Sequence, residues 1–300
     1  MDDVYIVGAA RSSIASVKRG KEPGDKNTSC ISHLTPNELG ACVRDDLLER
    51  SGIEAEIVEM FRMGSLVAQK AETSMFHAPA KSIMRKDGTG CAPHVNTATL
   101  EAACTTGLAA IEDAVEEIQL GRTSLAIAGG IEMMSRCLDE VVQGIITSPE
   151  TGKTMAELAD ATSRDLGITK EELDWYAYQS CLLAHQHHNH PDPYRVPIVC
   201  GNGVTLALDE GTSKAFPLDV MRSSKLKLLP GCELITSAHA SKYGDGAALV
   251  ALASVDAIRK HNLKPIAKIL AIEGYAVPNP AQFILAPNGA IPKALSRAGV

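Results

Sequence analysis

Residues 95–129 carry a predicted strand, a helix and a second strand in direct succession, and this order constrains the fold more than any other part of the chain. Residues 95–100 are predicted to be extended. A helix follows, because apolar side chains recur at helical spacing until a glycine ends the pattern. These positions are Leu108, Ile111, Val115, Ile118 and Gly121. Residues 125–129 then form an apolar strand. Strands joined by amphipathic helices are typical of α/β proteins.

The same alternation continues towards the N-terminus. Residues 4–7 form a short apolar strand, and residues 60–67 form another. Between them, Thr35 is a suitable N-cap, with a proline and a capping-box glutamate behind it, and Gly52 ends the helix. Residues 78–85 are predicted to be helical. The alternation predicts an α/β layered fold with a mixed, mostly buried sheet.

Beyond residue 136 the character of the chain changes. Residues 137–242 contain more loops, polar helices and scattered charge. Thr169 is a plausible N-cap there. The predicted elements are a helix at 166–186, strands at 248–253 and 265–276, and the beginning of a helix at 291–298. Because 300 residues exceed what one compact core usually holds, two lobes are expected.

Charge and cysteine content bound the class of protein. A formal net charge of −7 argues against nucleic acid or an anionic membrane as a partner, and no apolar run is long enough to span a bilayer. The eight cysteines include no Cys-x-x-Cys pair, which predicts free thiols in a reducing compartment. Since Met-Asp-Asp leads straight into a strand, no signal or transit peptide is expected, and a cytoplasmic location is predicted.

Cys104 is the candidate reactive residue of the chain. It lies in the run Ala-Cys-Thr-Thr-Gly at residues 103–107, where the extended segment gives way to the helix. A thiol at a helix N-terminus is close to unpaired N–H groups, which favour the thiolate form. The alternative is a buried, inert cysteine that fills the core.

Two glycines follow the next strand, at residues 129 and 130. Glycine has no side chain, so another backbone or a ligand is able to approach closely there. The strand and the glycines belong to the run Ala-Gly-Gly-Ile-Glu-Met-Met-Ser. A close approach at this point is therefore predicted.

Several segments, in the same order along the chain, resemble the thiolases. That family carries a reactive cysteine in a Cys-(Ala/Gly/Thr)-(Ser/Thr)-Gly setting, followed by a strand ending in Ala-Gly-Gly-x-Glu-x-Met-Ser. The matching segments are residues 4–11, 103–107, 125–135, 240–248 and 290–295. Each match alone is weak, but together they span nearly the whole chain and are specific.

The resemblance implies a thiolase-like layered fold, with a mixed five-stranded sheet and helices in its N-terminal half. Residues 1–136 and 243–258 correspond to that half. Residues 137–242 correspond to a shortened loop domain that binds coenzyme A. Residues 259–300 correspond to the start of the C-terminal half, which is incomplete. The strand at 265–276 is then expected to pair within a second sheet whose other strands are missing.

The resemblance also implies an activity, that of an acetyl-CoA C-acetyltransferase in fatty acid metabolism. Cys104 is then the nucleophile that accepts the acyl group from an acyl-CoA thioester. The acyl group is either condensed with acetyl-CoA or, in reverse, released from a 3-ketoacyl-CoA by free CoA. Coenzyme A and acyl-CoA are substrates in this scheme, and no separate cofactor is expected.

Two further residues are candidate contacts for coenzyme A. Arg222 follows Asp219 in a segment that resembles the family's stretch near the CoA nucleotide, and Ser241 matches the family serine near the pantetheine arm. Arg222 belongs to a basic cluster with Lys214, Lys225 and Lys227. The alternatives are a solvated charged loop and a turn-capping serine.

A metal site is not expected. The histidines at 185, 187, 188 and 190 lie in a segment without cysteine or carboxylate partners, which is a poor pattern for zinc. A solvated helix end explains them better.

The chain also departs from the family pattern. The sequence contains no Asn-Glu-Ala-Phe, Gly-His-Pro or Cys-x-Gly-Gly-Gly element, and the last two carry the family's activating histidine and second cysteine. The chain is then a fragment, or a separate chain supplies the rest, or catalysis has been lost. Glu101 and His239 each replace a family asparagine, and Ala15 replaces a turn glycine. Residues 137–155 are shorter than in the family, which favours a homodimer over a tetramer.

Two rival functions remain open on the sequence. The first is a non-catalytic, thiolase-derived protein that binds coenzyme A or a protein partner. The second is a ketosynthase-type condensing enzyme, since Ala-Cys-Thr-Thr-Gly is also similar to that related group. The run Ala-Gly-Gly-Ile-Glu-Met-Met-Ser speaks against the ketosynthase.

Overall fold

Two units make up the computed structural model, which describes residues 3–21, 24–66, 94–223 and 225–300. The first unit is built from Met1–Leu138, Pro191–Glu210 and Tyr243–Ile269. The second is built from Asp139–His190, Gly211–Lys242 and Leu270–Val300. Residues 191–210, expected within the loop domain, thus belong to the first unit, and so do residues 259–269, expected in the C-terminal half.

A mixed sheet forms the centre of the first unit. The strands are β1 (Val4–Ser12), β2 (Ala15–Ser16), β3 (Met60–Gly64), β4 (Asn96–Leu100), β5 (Leu125–Met133), β6 (Arg195–Val196), β7 (Ile198–Val199), β8 (Thr205–Leu206), β9 (Gly244–Ser254) and β10 (Ala267–Lys268). The order in the mixed sheet is β10-β1-β9-β5-β3-β4, with β2 paired to β9 and β6 to β1, whereas β7 and β8 form a separate antiparallel pair. Strand β9 is antiparallel to both neighbours, whereas β3 is parallel to β4 and β5. The five long strands confirm the predicted mixed sheet.

The helices are α1 (Pro36–Ser51), α2 (Thr106–Gln119), α3 (Asp139–Ile145), α4 (Met155–Asp165), α5 (Lys170–Gln186), α6 (Leu218–Arg222), α7 (Val255–His261) and α8 (Ala286–Ala298). Short 3₁₀ turns lie at Ala55–Ile57, Met134–Arg136, Glu210–Thr212 and Pro280–Leu285. No helix among the described residues combines the length and the apolar character that crossing a membrane requires. The helix predicted at 78–85 lies outside the described residues.

Helix boundaries follow the predicted caps. Thr35 accepts a hydrogen bond from the N–H of Glu38 in a full capping box, and Gly52 ends α1 in the left-handed conformation. Thr169 caps α5 in the same way. The helix predicted from residue 166 begins later, because Gly167 adopts a positive φ of 70° between α4 and α5.

The strand predicted at 265–276 is wrong in its extent and in its partner. Only Ala267–Lys268 is extended in a sheet, and it pairs antiparallel with β1 rather than within a second sheet. The N–H of Ile266 donates to the carbonyl of Ile6 at 2.7 Å, and the N–H of Ile269 donates to that of Val4 at 3.0 Å. An apolar run does not specify which sheet edge it joins. Here the segment pairs with the edge of β1, which was open to a further strand.

Arg11 explains why residues 191–210 belong to the first unit. Its Nε donates to Asp192 at 2.8 Å, and its two terminal nitrogens donate to both oxygens of Asp209 at 2.9 Å. Asp209 also accepts a hydrogen bond from the N–H of Ile14 at 2.8 Å. The bonds to these carboxylates raise the pKa of Arg11 above its ordinary value. Residues at both ends of the segment are thus held against β1 and the turn that follows it.

The core of the first unit lies between the sheet and its helices. Helix α1 packs on β1 and β9, and α2 packs on β3 and β5. Phe61 and Ile127 are fully buried in the strands, and Leu39 and Leu47 are fully buried on one face of α1. Burying such side chains supplies about 1.5–3 kcal/mol each, which is the main driving force for this layered arrangement.

Glycines allow α2 to approach the sheet closely. A Cβ atom on Gly64 of β3 would lie 2.5 Å from the carbonyl oxygen of Thr106, and one on Gly130 would lie 3.3 Å from the Cα of Gly107. A Cβ atom on Gly129 would lie 2.1 Å from the carbonyl oxygen of Ala248 in β9. The close approach predicted at residues 129 and 130 is therefore confirmed.

Gly64→Ala is expected to destabilise the first unit by about 1–3 kcal/mol, because the added methyl forces the first turn of α2 away from β3. Hydrogen exchange of the α2 amides should rise in the variant. The matched control is Gly144→Ala in α3, where nothing lies within 4 Å of the added atom, so stability should stay constant or increase slightly. Equal stability of the Gly64→Ala chain and wild type would contradict this account of the packing.

Candidate active site

Cys104 lies on a sharp turn between β4 and α2, at the position predicted for it. Strand β4 ends at Leu100 and α2 begins at Thr106. Ala103, directly before the cysteine, has a φ of +48°. An alanine in the left-handed region costs about 1 kcal/mol, so the surrounding contacts must hold this conformation. Cys104 itself is exposed, which excludes the interpretation as a buried core cysteine.

Two threonine hydroxyls hold the turn in place. The buried Thr106 Oγ1 accepts a hydrogen bond from the N–H of Ala102 at 2.9 Å and donates to the carbonyl of Ala103. The hydroxyl of Thr105 donates to the carbonyl of Ala102 at 2.7 Å. These bonds close the turn and fix the backbone that carries the exposed thiol. Sequence reasoning identified Cys104 but missed the role of Thr106.

Three other cysteines have surroundings that oppose formation of the thiolate. Burial raises the pKa of Cys30 to about 12 and that of Cys137 to about 11. Partial desolvation, with the nearby Asp45 carboxylate, also raises the pKa of Cys42. Since the thiolate is the reactive form, these thiols react slowly near neutral pH.

Iodoacetamide is therefore expected to modify Cys104 faster than Cys30, Cys42 or Cys137 near neutral pH, as followed by peptide mass spectrometry over time. In the Cys104→Ala chain the fast phase should disappear while the slow labelling at the other three sites persists. Labelling of Cys30 or Cys137 at the rate of Cys104 would show that burial does not control reactivity here.

Asp245 joins two of the segments that resemble the family. Its carboxylate is fully buried and accepts hydrogen bonds from the hydroxyls of Ser29 and Ser135 and from the N–H of Ser135 at 3.0 Å. Ser135 ends the run that contains the two glycines, and Asp245 is the second residue of β9. A buried carboxylate needs such donors, because an unpaired buried charge is costly. The aspartate is part of the matched segment, but its partners could not be read from the sequence.

Arg222 and Ser241 both lie in the second unit, whereas Cys104 lies in the first. Arg222 is the last residue of α6, and Ser241 lies in the loop that precedes β9. Both residues are exposed, as are the other members of the basic cluster, Lys214, Lys225 and Lys227. The second unit thus presents the positive charge that was expected to attract phosphate groups.

The histidines at the end of α5 contact protein groups. His188 Nδ1 lies 2.7 Å from the hydroxyl of Thr212, and His185 Nδ1 lies 3.2 Å from its carbonyl. His187 Nδ1 lies 2.8 Å from the carbonyl of Leu183. Within the described ranges no three His, Cys, Asp or Glu side chains are grouped so that they could hold a metal ion.

Asp160 of α4 fixes the chain that leads to Ser241. Its Oδ1 accepts hydrogen bonds from three successive N–H groups, those of residues 233, 234 and 235, at 3.0, 2.7 and 3.0 Å. Its Oδ2 accepts from Arg164 at 3.0 Å. Burial opposes ionisation, but these donors outweigh it and hold the pKa of Asp160 below its ordinary value. Sequence reasoning missed this residue, because its partners are more than 70 positions away.

Asp160→Asn is expected to lower the free energy of unfolding of the second unit by about 2–3 kcal/mol at neutral pH, since the charge-assisted bonds are lost. The pKa is depressed in the folded state, so this stabilisation is complete above about pH 4 and is lost as the pH falls through the folded value. The difference in free energy of unfolding between wild type and variant should therefore disappear in acid. Fluorescence of Trp175 in α5, the single tryptophan, reports unfolding of this unit.

Asp165→Asn serves as the matched control for Asp160→Asn, because Asp165 is exposed on the same helix. It should change stability by less than about 0.5 kcal/mol. A stability difference between wild type and the Asp160→Asn chain that stays constant into acid would contradict the role of the ionised carboxylate.

Comparison with known proteins agrees with this geometry. Residues 4–256 match the sequence profile of the thiolase N-terminal domain. The mitochondrial acetyl-CoA acetyltransferase of Bos taurus is 29% identical, and the match covers 100% of this chain and 72% of that protein. Among solved structures, the Acat5 thiolase from Ascaris suum in complex with coenzyme A has a TM-score of 0.85 at 26% identity, covering 99% of this chain and 78% of that one.

Human mitochondrial 3-ketoacyl-CoA thiolase has a TM-score of 0.84 at 23% identity, and the match covers 100% of this chain and 77% of that one, which shows a shared fold. The profile matches most of the chain, including β1, the cysteine turn, the two glycines and β9. The chain therefore belongs to the thiolase family.

Proposed function

We propose that this chain is an acyl-CoA acyltransferase of the thiolase type, with Cys104 as the acyl acceptor. The observation that carries the proposal is the exposed thiol of Cys104 on a turn closed by the Thr106 hydroxyl, in a member of the thiolase family. A fixed, accessible thiol directly before a helix is suited to nucleophilic attack on a thioester.

The proposed reaction has two steps in each direction. In synthesis, the Cys104 thiolate attacks the carbonyl carbon of acetyl-CoA and the CoA thiolate leaves. A second acetyl-CoA gives up an α-proton, which the CoA thiolate takes, and its α-carbanion attacks the new cysteine thioester and releases the Cys104 thiolate. In thiolysis, the Cys104 thiolate attacks C3 of a 3-ketoacyl-CoA, the C2–C3 bond breaks, and the leaving α-carbanion takes the thiol proton of free CoA to become acetyl-CoA. The CoA thiolate then takes the acyl group from the cysteine and regenerates the Cys104 thiolate.

Negative charge develops on the thioester oxygen in both directions and requires hydrogen-bond donors. The N–H groups of Thr105 and Thr106 already donate to the carbonyls of Ala102 and Ala103, at 3.1 and 3.2 Å. The positive end of the α2 dipole, which lies next to Cys104 in sequence, is the proposed source of stabilisation within the first unit.

Arg222 and Ser241 are proposed to hold coenzyme A. Their support is the exposed positive charge of the second unit and the ordered segment that leads to Ser241. The Acat5 thiolase from Ascaris suum was solved in complex with coenzyme A. For this chain, coenzyme A and acyl-CoA are proposed as substrates without a separate cofactor.

A homodimer in the cytoplasm, acting in fatty acid metabolism, is proposed as the setting of this activity. The cysteines that the structure describes are all free, which supports a reducing compartment. The short segment at residues 137–155 supports a dimer over a tetramer. Sedimentation equilibrium of the purified chain distinguishes the two assemblies.

A non-catalytic protein that binds coenzyme A is the second candidate function. It is favoured by departures inside the matched residues 4–256, where Glu101 and His239 each stand in place of a family asparagine. Binding without turnover is the behaviour that separates this candidate from an acyltransferase.

Thiolysis of acetoacetyl-CoA by the purified chain tests the proposal. We expect CoA-dependent loss of acetoacetyl-CoA, and a decrease of about three orders of magnitude or more in the Cys104→Ala chain. Cys42→Ala is the matched control, because Cys42 is also exposed and lies outside the turn, and it should retain full activity. Binding of coenzyme A without turnover in wild type would favour the second candidate, and absence of both would overturn the proposal.

A further inference from the structure

We infer that His239 is a positioning residue for the loop that carries Ser241. Its neutral imidazole is held between Thr236 and Asp174 and so connects this loop to α5. This inference rests on the proposed function, because it assigns a role in holding coenzyme A. His239 stands where the family pattern has an asparagine, so the arrangement is a property of this chain's own residues.

The hydrogen bonds of His239 define the position of its proton. The N–H of Thr236 donates to Nδ1 of His239 at 3.0 Å. A backbone N–H is always a donor, so Nδ1 carries no proton. Nε2 lies 2.8 Å from Oδ1 of Asp174 and therefore donates its proton to the carboxylate. Both ring nitrogens are thus in use, which excludes His239 as a proton-transfer group and leaves it a role in positioning.

Charge and burial support the neutral form. The side chains of His239 and Asp174 are only 7% and 3% exposed. Lys170 Nζ donates to both carboxylate oxygens of Asp174 at 2.9 Å. The negative charge of Asp174 is therefore balanced by a lysine on its own helix, and a second positive charge on the imidazole is not required.

His239 lies two residues before Ser241, in a turn that is closed by further hydrogen bonds. The N–H of His239 donates to the carbonyl of Thr236 at 3.1 Å, and the N–H of Ala238 donates to the Thr236 hydroxyl at 3.2 Å. Upstream of this turn, Asp160 binds the backbone of residues 233–235. Two buried carboxylates, on α4 and α5, thus fix the chain from residue 233 to residue 239. Ser241 follows after one further residue, so its position depends on this support.

Two substitutions separate the contacts of His239. In His239→Asn the amide oxygen takes the place of Nδ1 and keeps the bond from Thr236, but the bond to Asp174 is lost. In His239→Gln the amide nitrogen takes the place of Nε2 and keeps the bond to Asp174. We expect His239→Asn to weaken binding of coenzyme A about tenfold, as measured by calorimetry on the full chain, and His239→Gln to restore it to within about threefold of wild type.

Thr154→Ala is the control for general loss of stability. Thr154 caps α4 in the same unit, and its loss costs about 1 kcal/mol without touching residues 236–241. It should leave the affinity for coenzyme A unchanged. If His239→Asn binds coenzyme A as wild type does, or if Thr154→Ala weakens binding equally, His239 is not a positioning residue and the inference is overturned.

The position of the proton is tested without coenzyme A. Long-range ¹H–¹⁵N correlation spectra of the imidazole should show a protonated Nε2 and an unprotonated Nδ1 for His239 in the wild-type chain. The opposite tautomer or a doubly protonated ring would overturn the inference by itself. Absence of CoA binding by the wild-type chain is a different result, because it overturns the proposed function and with it the role in binding, whatever the variants do.

Discussion

The close approach of α2 to the sheet is the constraint on which the candidate active site depends. Gly64 and Gly130 provide the space that Thr106 and Gly107 occupy at the start of the helix. The hydroxyl of the same Thr106 bonds Ala102 and Ala103, and so supports the left-handed residue before Cys104. One threonine thus takes part both in the packing of α2 on the sheet and in the turn that presents the thiol.

Local signals in the sequence predicted much of this fold. Thr35, Gly52 and Thr169 act within a few residues of where they stand, so capping chemistry alone placed the ends of α1 and the beginning of α5. Cys104 was found in the same way, since the change from a strand to a helix is visible along the chain. Periodicity gave the long strands but underestimated the length of β1, β5 and β9.

Contacts between distant residues could not be predicted from one sequence. Arg11 and Asp209 are 198 positions apart, and no local pattern indicates that they pair. The same holds for Asp160 and the N–H groups it binds, and for the edge of β1 that Ala267–Lys268 joins. His239 was noted only as a departure from the family pattern. Its partner in α5 became visible when the fold placed Asp174 beside it.

The outer edge of β1 has a consequence for solubility. Ala267–Lys268 covers this strand at Tyr5 and Ile6, and Arg195–Val196 covers it at Arg11 and Ser12. An open strand edge is a template on which another molecule is able to add a strand and begin an aggregate. Here a foreign strand would first have to displace two short segments from separate parts of the chain. The two short strands on β1 thus block the addition of a further strand at this edge, although they contribute little to the sheet.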